Sequence, residues 1–370
     1  MVNHIWLRAE TKPHERRTHL TPEKCKELVE SGFKVTVEKS DQRIFRDEDY
    51  QSIPGVDIVS LGSWQNAPKD AIILGLKDLP LADTSIVHQH VFFAHAYKHQ
   101  IGSEQLLQRF HKGGGCILDI EFMTDEKGCR SVAVFSPVAG ATGMALGVAA
   151  WCYQHLGRAM PGIKPFESEK EMVDEVKPLL KEVANEKGVS ETYPTMLVMG
   201  ALGRCGHGAL DIARKLGIPE SNQIKWDLEE TKGGGPFPQI LKYDIFVNCI
   251  LLSKKIPPFL TQEMLDTDER NLSLVVDVSC DVNNPDNPLP FYNSATTPQN
   301  PVRAVDLSKS SKTLEILSID FLPSLLPRES SIRFADKMTP YLKRLTKDDP
   351  DPVWIRTKKI FEQKVQEMCN

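Results

Sequence analysis

The chain has 370 residues, enough for two domains that each bury a core. Hydrophobic residues make up 41% and charged residues 26%, a globular balance, while a net charge of −5 and a pI near 6.1 exclude the basic footprint of a nucleic-acid binder. No apolar run reaches the length of a membrane span, Met1-Val2-Asn3-His4 carries no signal-peptide pattern, and Glu367-Met368-Cys369-Asn370 is no peroxisomal tripeptide, so a cytoplasmic location with no membrane partner is expected.

Ile5-Trp6-Leu7 predicts a short strand leading into a charge-dense loop that holds Arg8, Lys12, Arg16 and Arg17. Thr21 is placed to cap a helix with Pro22 at its first position and Gly32 at its end. Phe33 to Val37 alternates as a half-buried strand, and Val56–Ser60 and Ala71–Leu76 read as parallel strands. Gly75-Leu76-Lys77-Asp78 then stands at a strand's carboxyl end, the edge where open α/β sheets bind ligands. His88, His90, His95 and His99 follow closely. No carboxylate or thiol is interleaved with them, so a metal site is not expected, whereas an acid–base histidine is. His88 and His90 alternate along a strand and read as structural, with His95 and His99 beyond it. Cys116 to Glu121 predicts a further strand with Glu121 near its carboxyl end. Strands alternating with helices indicate a doubly wound α/β domain.

Val138 to Tyr153 predicts a long apolar helix rich in small residues, stopped by Gly157. A charged helix runs from Ser168 to Glu186, with Ser168 and Glu171 at capping-box spacing and Pro178 as a point for a kink. Met196–Met199 is an apolar run followed by Gly200, Gly203, Gly206 and Gly208, then by a helical pattern ending at Gly217. Strand, glycine turn and helix form the first half of a mononucleotide-binding unit, in which a phosphate approaches the backbone at a helix N-terminus. The spacing is GxxGxxG rather than GxGxxG, a pattern also met in ligand-free corners. The next short strand, Gln223–Trp226, ends at Asp227, about 20 residues past the turn, where an acidic residue meets the adenosine ribose. A carboxylate there repels a ribose phosphate and favours NAD over NADP.

Thr231 to Phe237 is a glycine-rich loop beside that edge. Strands follow at Asp244–Ile250, Leu274–Val278 and Leu314–Asp320, with Val278 to Asp281 again at the carboxyl edge. Helices over 330–346 and 353–368, joined by a loop at Asp348–Pro352, come too late for the second sheet and are expected to return to the first domain. The expected organisation is a discontinuous substrate and catalytic domain, 1–134 plus 330–370, and an NAD-binding Rossmann domain, 135–329. The eight cysteines form no CxxC pair, so neither a zinc site nor a disulfide framework is indicated, and reduced thiols are the simplest reading. Cys205 lies in the glycine turn and Cys249 at the end of a strand expected beside it; a bond between them would hinder the pyrophosphate site, but two free thiols are the preferred expectation.

Several segments together resemble the NAD-dependent, lysine-forming saccharopine dehydrogenases. They are Arg8-Ala-Glu-Thr-Lys-Pro13, Gly75-Leu-Lys77, Phe93-Ala-His-Ala-Tyr-Lys98, Gly200-Ala-Leu-Gly-Arg-Cys-Gly206, Lys225-Trp-Asp227, Val276-Asp-Val-Ser279 and Ser318 to Glu329. They span nearly the whole chain in one order. The resemblance implies the fold of the alanine dehydrogenase and transhydrogenase superfamily, two Rossmann-like doubly wound α/β domains facing each other across an active-site cleft. It also implies oxidation of saccharopine by NAD and water to lysine and 2-oxoglutarate, the last step of lysine synthesis by the α-aminoadipate route, by a monomer.

By the same resemblance, Lys77 is the base for the secondary amine, His95 activates water during imine hydrolysis, and Glu121 tunes both. Asp78 stands where a longer Glu also occurs, and its tuning role is the weaker. Arg17 and Arg130 are carboxylate clamps or cofactor contacts, Arg130 lying in a stretch, Gly128 to Val132, that departs from the family's double-Arg pattern. Lys77, Arg17, Gln100, Phe135, Ser279, Cys280 and Asp281 match substrate-side positions. Ala139, Gly140, Gly203, Arg204, Asp227, Thr231, Leu251, Val278, Ile319, Asp320, Phe321 and Leu322 match the cofactor side with Arg130, Leu251 standing where a Tyr occurs. An alanine-type amino-acid dehydrogenase on the same fold is the first rival; a cofactor sensor that binds NAD without turnover is the second, and it would need no acid–base set.

Overall fold

The computed structural model describes residues 3–369 except 78, 81, 99, 131, 133–135, 251–254, 281, 283, 285 and 346–350. The expectations for Asp78, His99, Phe135, Leu251 and Asp281 therefore lie outside the described residues. The chain divides into two compact units, Met1–Val134 with Pro327–Asn370, and Phe135–Leu326.

The first unit begins with β1 (His4–Leu7), α1 (Pro22–Glu30), β2 (Lys34–Glu38), α2 (Asp47–Gln51), β3 (Val56–Val59), β4 (Ile72–Leu74), β5 (Gln89–Phe92), α3 (Ser103–Gly113) and β6 (Cys116–Asp119). Its sheet has the order β3-β2-β1-β4-β5-β6 with every pairing parallel. The order reverses between β1 and β4, and in an open α/β sheet that crevice is where ligands bind. Helix α1 starts as its sequence dictates: Thr21 Oγ1 accepts the Lys24 N–H at 3.3 Å and Pro22 fills the first turn. Gly32, at φ 85°, supplies the left-handed turn after it.

Strand β2 departs from the half-buried expectation. Thr36 and Glu38 are as buried as Val35 and Val37. The polar side chains find partners inside: Thr36 Oγ1 meets His4 Nε2 at 2.9 Å, and the Glu38 carboxylate accepts the N–H groups of Ala9, Gly62 and Trp64 at 3.0, 3.1 and 2.6 Å. Alternation along the strand signals polarity here, not exposure. His88 and His90 are buried in this unit. The His88 ring donates to the Ala67 carbonyl at 3.0 Å, and His90 lies edge-on to Trp64 and Phe110.

The second unit is built on α4 (Pro137–His155), α5 (Glu169–Glu186), β7 (Met196–Met199), α6 (Arg204–Lys215), β8 (Gln223–Trp226), α7 (Leu228–Thr231), β9 (Ile245–Asn248), α8 (Gln262–Leu265), β10 (Leu274–Asp277), β11 (Arg303–Ala304) and β12 (Glu315–Leu317). Its order is β11-β12-β10-β9-β7-β8, parallel except for the antiparallel edge strand β11, which the sequence did not announce. Helix α4 packs on α6 as closely as its small residues allow. A Cβ on Gly140 would lie 1.8 Å from the Cys205 carbonyl oxygen, and one on Gly208 would lie 1.9 Å from that of Pro137. Helix α5 runs through Pro178 as one element, and only half of the expected capping box forms. Ser168 Oγ accepts the Glu171 N–H at 3.2 Å, but the Glu171 carboxylate accepts from Glu167, one residue further out than a capping box requires.

The chain closes with α9 (Pro327–Leu342) and α10 (Pro352–Cys369), which pack in the first unit, α9 on α1 and α10 on α3 and β6. Among the described residues, no helix is long and apolar enough to cross a membrane.

Candidate active site and dinucleotide turn

In the first unit, Lys77, His95 and Glu121 follow the carboxyl ends of β4, β5 and β6, three strands that are neighbours in the sheet. Lys77 comes three residues after β4, His95 three residues after β5 and Glu121 two residues after β6. The short distances from strand end to side chain fix all three at one edge. His95 sits at φ 49°, a left-handed backbone that a non-glycine residue adopts only where surrounding structure imposes it. Its ring stacks on Phe93 with centroids 6.5 Å apart.

Glu121 is largely buried and receives two cations. Lys98 Nζ donates to Oε1 at 2.5 Å, and Arg130 Nη2 approaches the same oxygen at 3.7 Å. Arg130 itself is half exposed. Behind Glu121 lies the buried Asp119, whose Oδ1 accepts the Glu121 N–H at 3.0 Å; burial pushes its carboxyl up to about 7. Gln100 accepts the Lys98 N–H at 2.9 Å through Oε1.

Arg17 is not waiting with an empty guanidinium. It holds the buried Glu15 carboxylate in a two-pronged bond, Nε to Oε1 at 2.7 Å and Nη2 to Oε2 at 2.6 Å. Burial raises the Glu15 carboxyl, but the Arg17 bonds and the positive charge of Lys77 outweigh it and hold Glu15 below the usual carboxylate range. Arginine has five N–H donors, so this fork leaves others for a substrate carboxylate. Glu15 was not singled out from the sequence beyond its place in a charge-dense loop, and Lys98 only as the last residue of the Phe93–Lys98 block.

In the second unit, the strand–turn–helix is present. Gly200 takes φ 81° after β7, and Gly203 is the N-cap of α6, offering no side-chain oxygen to the first helical N–H groups. A Cβ on Gly203 would meet only the Gly200 carbonyl, at 3.2 Å, and both Gly203 and Arg204 are exposed. Gly140, Gly206 and Gly208 instead serve backbone packing. Asp227 follows β8. Its Oδ2 accepts the Leu202 N–H at 2.9 Å and its Oδ1 that of Leu228 at 2.9 Å, while Thr231 Oγ1 donates to the Asp227 carbonyl at 2.7 Å. The acidic residue therefore sits against the glycine turn. An open helix N-terminus beside a carboxylate fits the pyrophosphate and ribose of a dinucleotide.

Two further stretches matched by the resemblance, one to substrate-side as well as cofactor-side positions, follow strands of this same sheet. Val278, Ser279 and Cys280 follow β10, and Ile319 to Leu322 follow β12. Ala139, Val278, Ile319 and Leu322 are core residues of this unit, so what they can offer a ligand is backbone; Asp320 and Phe321 are exposed. Ser279 Oγ donates to the buried Asp277 at 2.6 Å, within a network that includes Asn248 and Tyr292. Cys280 takes φ 45°, and its thiol meets the Ser318 carbonyl at 2.9 Å. Cys205 and Cys249 are free thiols; Cys205 Sγ lies 3.4 Å from the Ser136 carbonyl, and burial pushes both thiols up. No group of three His, Cys, Asp or Glu side chains able to hold a metal occurs among the described residues.

Residues 6–142 match the family model described as "Alanine dehydrogenase/PNT, N-terminal domain". Among solved structures, an L-alanine dehydrogenase superimposes with TM-score 0.64 at 15% identity, covering 99% of both chains, and a transhydrogenase from Sinorhizobium meliloti with TM-score 0.58 at 18% identity, covering 92% of this chain and 93% of that one. At such identities the likeness concerns the fold. Curated relatives are far nearer in sequence. The saccharopine dehydrogenase (NAD(+), L-lysine-forming) of Schizosaccharomyces pombe is 48% identical over 368 residues, 99% of each chain. That of Emericella nidulans is 48% identical over 370 residues, 98% of this chain and 97% of the relative. The chain belongs to the family of NAD-dependent, lysine-forming saccharopine dehydrogenases.

Proposed function

We propose that the chain oxidises saccharopine with NAD and water to lysine and 2-oxoglutarate. The observation that carries this reading is the set Lys77, His95 and Glu121 at the ends of three adjacent strands, in a chain 48% identical along its length to an enzyme of that name. A protein that only sensed the cofactor would need no such set, and the likeness to alanine dehydrogenase reaches only 15% identity.

The reaction sets three tasks. The secondary amine of saccharopine must lose its proton before hydride can leave the adjoining carbon; Lys77 takes that proton. The dinucleotide, when bound, supplies the hydride acceptor. Water must then add to the resulting imine, and His95 takes the proton from that water and returns it to the departing amine as the carbinolamine collapses. Glu121, already paired with Lys98 and Arg130, tunes the proton transfers of Lys77 and His95 from the neighbouring strand end. Arg17 meets a substrate carboxylate with the N–H groups its Glu15 fork leaves over. On the cofactor side, Gly203 and Arg204 face the pyrophosphate and Asp227 the adenosine ribose, and the Asp227 charge selects NAD against NADP. The reading carries with it a cytoplasmic monomer, and sedimentation of the purified chain near 41.5 kDa checks the second half of that.

Incubation with saccharopine and NAD tests the activity. Lysine and 2-oxoglutarate released in equal amounts with NADH support it; NADH formed from alanine and not from saccharopine overturns it.

A further inference from the structure

Resting on the assignment of Lys77 as the base, we propose that Arg8 and Glu10 form a buried clamp that positions Lys77 by gripping its backbone from both sides. The two residues come from the loop after β1, and Lys77 from the segment after β4, the pair of strands at which the sheet order reverses. The Glu10 carboxylate accepts two successive backbone N–H groups, Leu76 at 2.6 Å to Oε1 and Lys77 at 2.9 Å to Oε2. Arg8 Nη2 donates to the Lys77 carbonyl, and the Arg8 backbone N–H donates to the Leu74 carbonyl at 2.9 Å. The clamp closes on itself, because Arg8 Nη1 lies 3.5 Å from Glu10 Oε1, with side-chain exposures of 1% and 7%.

The surroundings are shaped to this arrangement. Arg8 lies over the Phe92 ring at 5.7 Å, and Gly75 makes room for it, since a Cβ there would come within 2.1 Å of Arg8 Nε. Arg8 Nε has no hydrogen-bond partner among the described residues. A buried ion pair of this kind contributes little net stability, whereas breaking it strands a charge. What it does supply is definition: the peptides flanking Lys77 are fixed at N–H and C=O, so the side chain starts from one place. A base must hold its atom to within a fraction of an ångström of the proton it takes, and misplacement by about 1 Å costs on the order of 100-fold. Arg8 and Glu10 touch no reacting atom in this account; they are positioning residues.

The test compares saccharopine oxidation by Glu10→Gln, Arg8→Met, Gly75→Ala and the double variant Arg8→Met/Gly75→Ala, with Lys77→Met as reference. Gly75→Ala leaves every charged group chemically intact and acts first on Arg8, whose guanidinium holds the three atoms nearest to the added methyl. Each single variant is expected to lower kcat by about 100-fold and to leave the KM for NAD unchanged. The double variant is expected to be no slower than the slower of its two parents, because with Met at position 8 the added methyl meets no guanidinium. Lys77→Met/Glu10→Gln is likewise expected to be no slower than Lys77→Met. Should Arg8→Met fail to fold, the isosteric Glu10→Gln decides alone. Wild-type kcat in Glu10→Gln, or defects that multiply in the doubles, overturns the clamp. Wild-type kcat in Lys77→Met overturns the assignment of Lys77 instead, a result distinguishable from the others.

Discussion

The Asp227 carboxylate accepts the Leu202 N–H at 2.9 Å, so the acidic residue at the end of β8 is tied to the glycine turn after β7. Its position is thereby set by the same turn that is proposed to face the pyrophosphate. Asp227→Asn keeps an acceptor oxygen for Leu202 but removes the charge. The expected outcome is a KM for NAD raised by about tenfold, equivalent to about 1.4 kcal/mol, with the NADP-to-NAD rate ratio rising. Steady-state kinetics with both dinucleotides checks it, and an unchanged ratio would count against the ribose assignment.

If Lys77 and His95 handle protons as proposed, removing either side chain separates chemistry from binding. Lys77→Met and His95→Gln are each expected to lower kcat by roughly 10²- to 10⁴-fold, while NADH binding, followed by fluorescence, stays at the wild-type level. Loss of NADH binding in either variant would mean that the substitution acts on the fold.

The buried histidines give the fold a pH dependence. Burial holds His90 and His19 well below the ordinary histidine value, with neighbouring Arg8 pushing the same way. The unfolded chain therefore binds protons at these sites below about pH 6.5 that the folded chain does not. Stability contributed by the neutral rings is present above that pH and falls as pH drops toward the folded values. His90→Phe, which suits the contacts with Trp64, Phe92 and Phe110, is expected to flatten the decline between about pH 6.5 and 5 by up to ~1.4 kcal/mol per pH unit. Urea unfolding at several pH values reads this directly. Asp119, raised by burial to about 7, works in the opposite sense between the two carboxyl values, which is why the comparison is between variant and parent.

Gly208 faces the Pro137 carbonyl at a distance that leaves no room for a methyl group. Gly208→Ala is expected to cost about 1–3 kcal/mol through overpacking, seen as a lower midpoint in chemical denaturation. Gly203→Ala, where only one oxygen stands within 4 Å, is expected to cost less stability and to raise the KM for NAD instead. Equal losses of stability in the two would contradict the division of the glycines into packing and ligand-facing sets.

Residues 196–217 were readable because the information is local: four apolar residues, a left-handed glycine and an amphipathic helix each declare themselves within a few positions. Asp227 was readable from its distance along the chain alone. Lys77, His95 and Glu121 were legible as carboxyl-edge residues, but their roles came only through resemblance. What the sequence hid depends on distant pairing. The exclusion of Glu38 from water rests on residues 9, 62 and 64, and β11 exists only because two residues meet β12. The Arg17–Glu15 fork and the Arg8–Glu10 contacts were hidden for the same reason, since a charge-dense loop looks alike whether it is solvated or folded inward. Helix α3 was overlooked although Leu106, Leu107 and Phe110 give it a buried face at helical spacing.

The central claim, that the chain joins and separates lysine and 2-oxoglutarate through saccharopine, is tested most directly in the reducing direction. NADH oxidation is followed with lysine alone, 2-oxoglutarate alone, both together, and pyruvate with ammonia. The account predicts turnover only when lysine and 2-oxoglutarate are present together. Turnover with pyruvate and ammonia, or NADH binding with no turnover in any mixture, would contradict it.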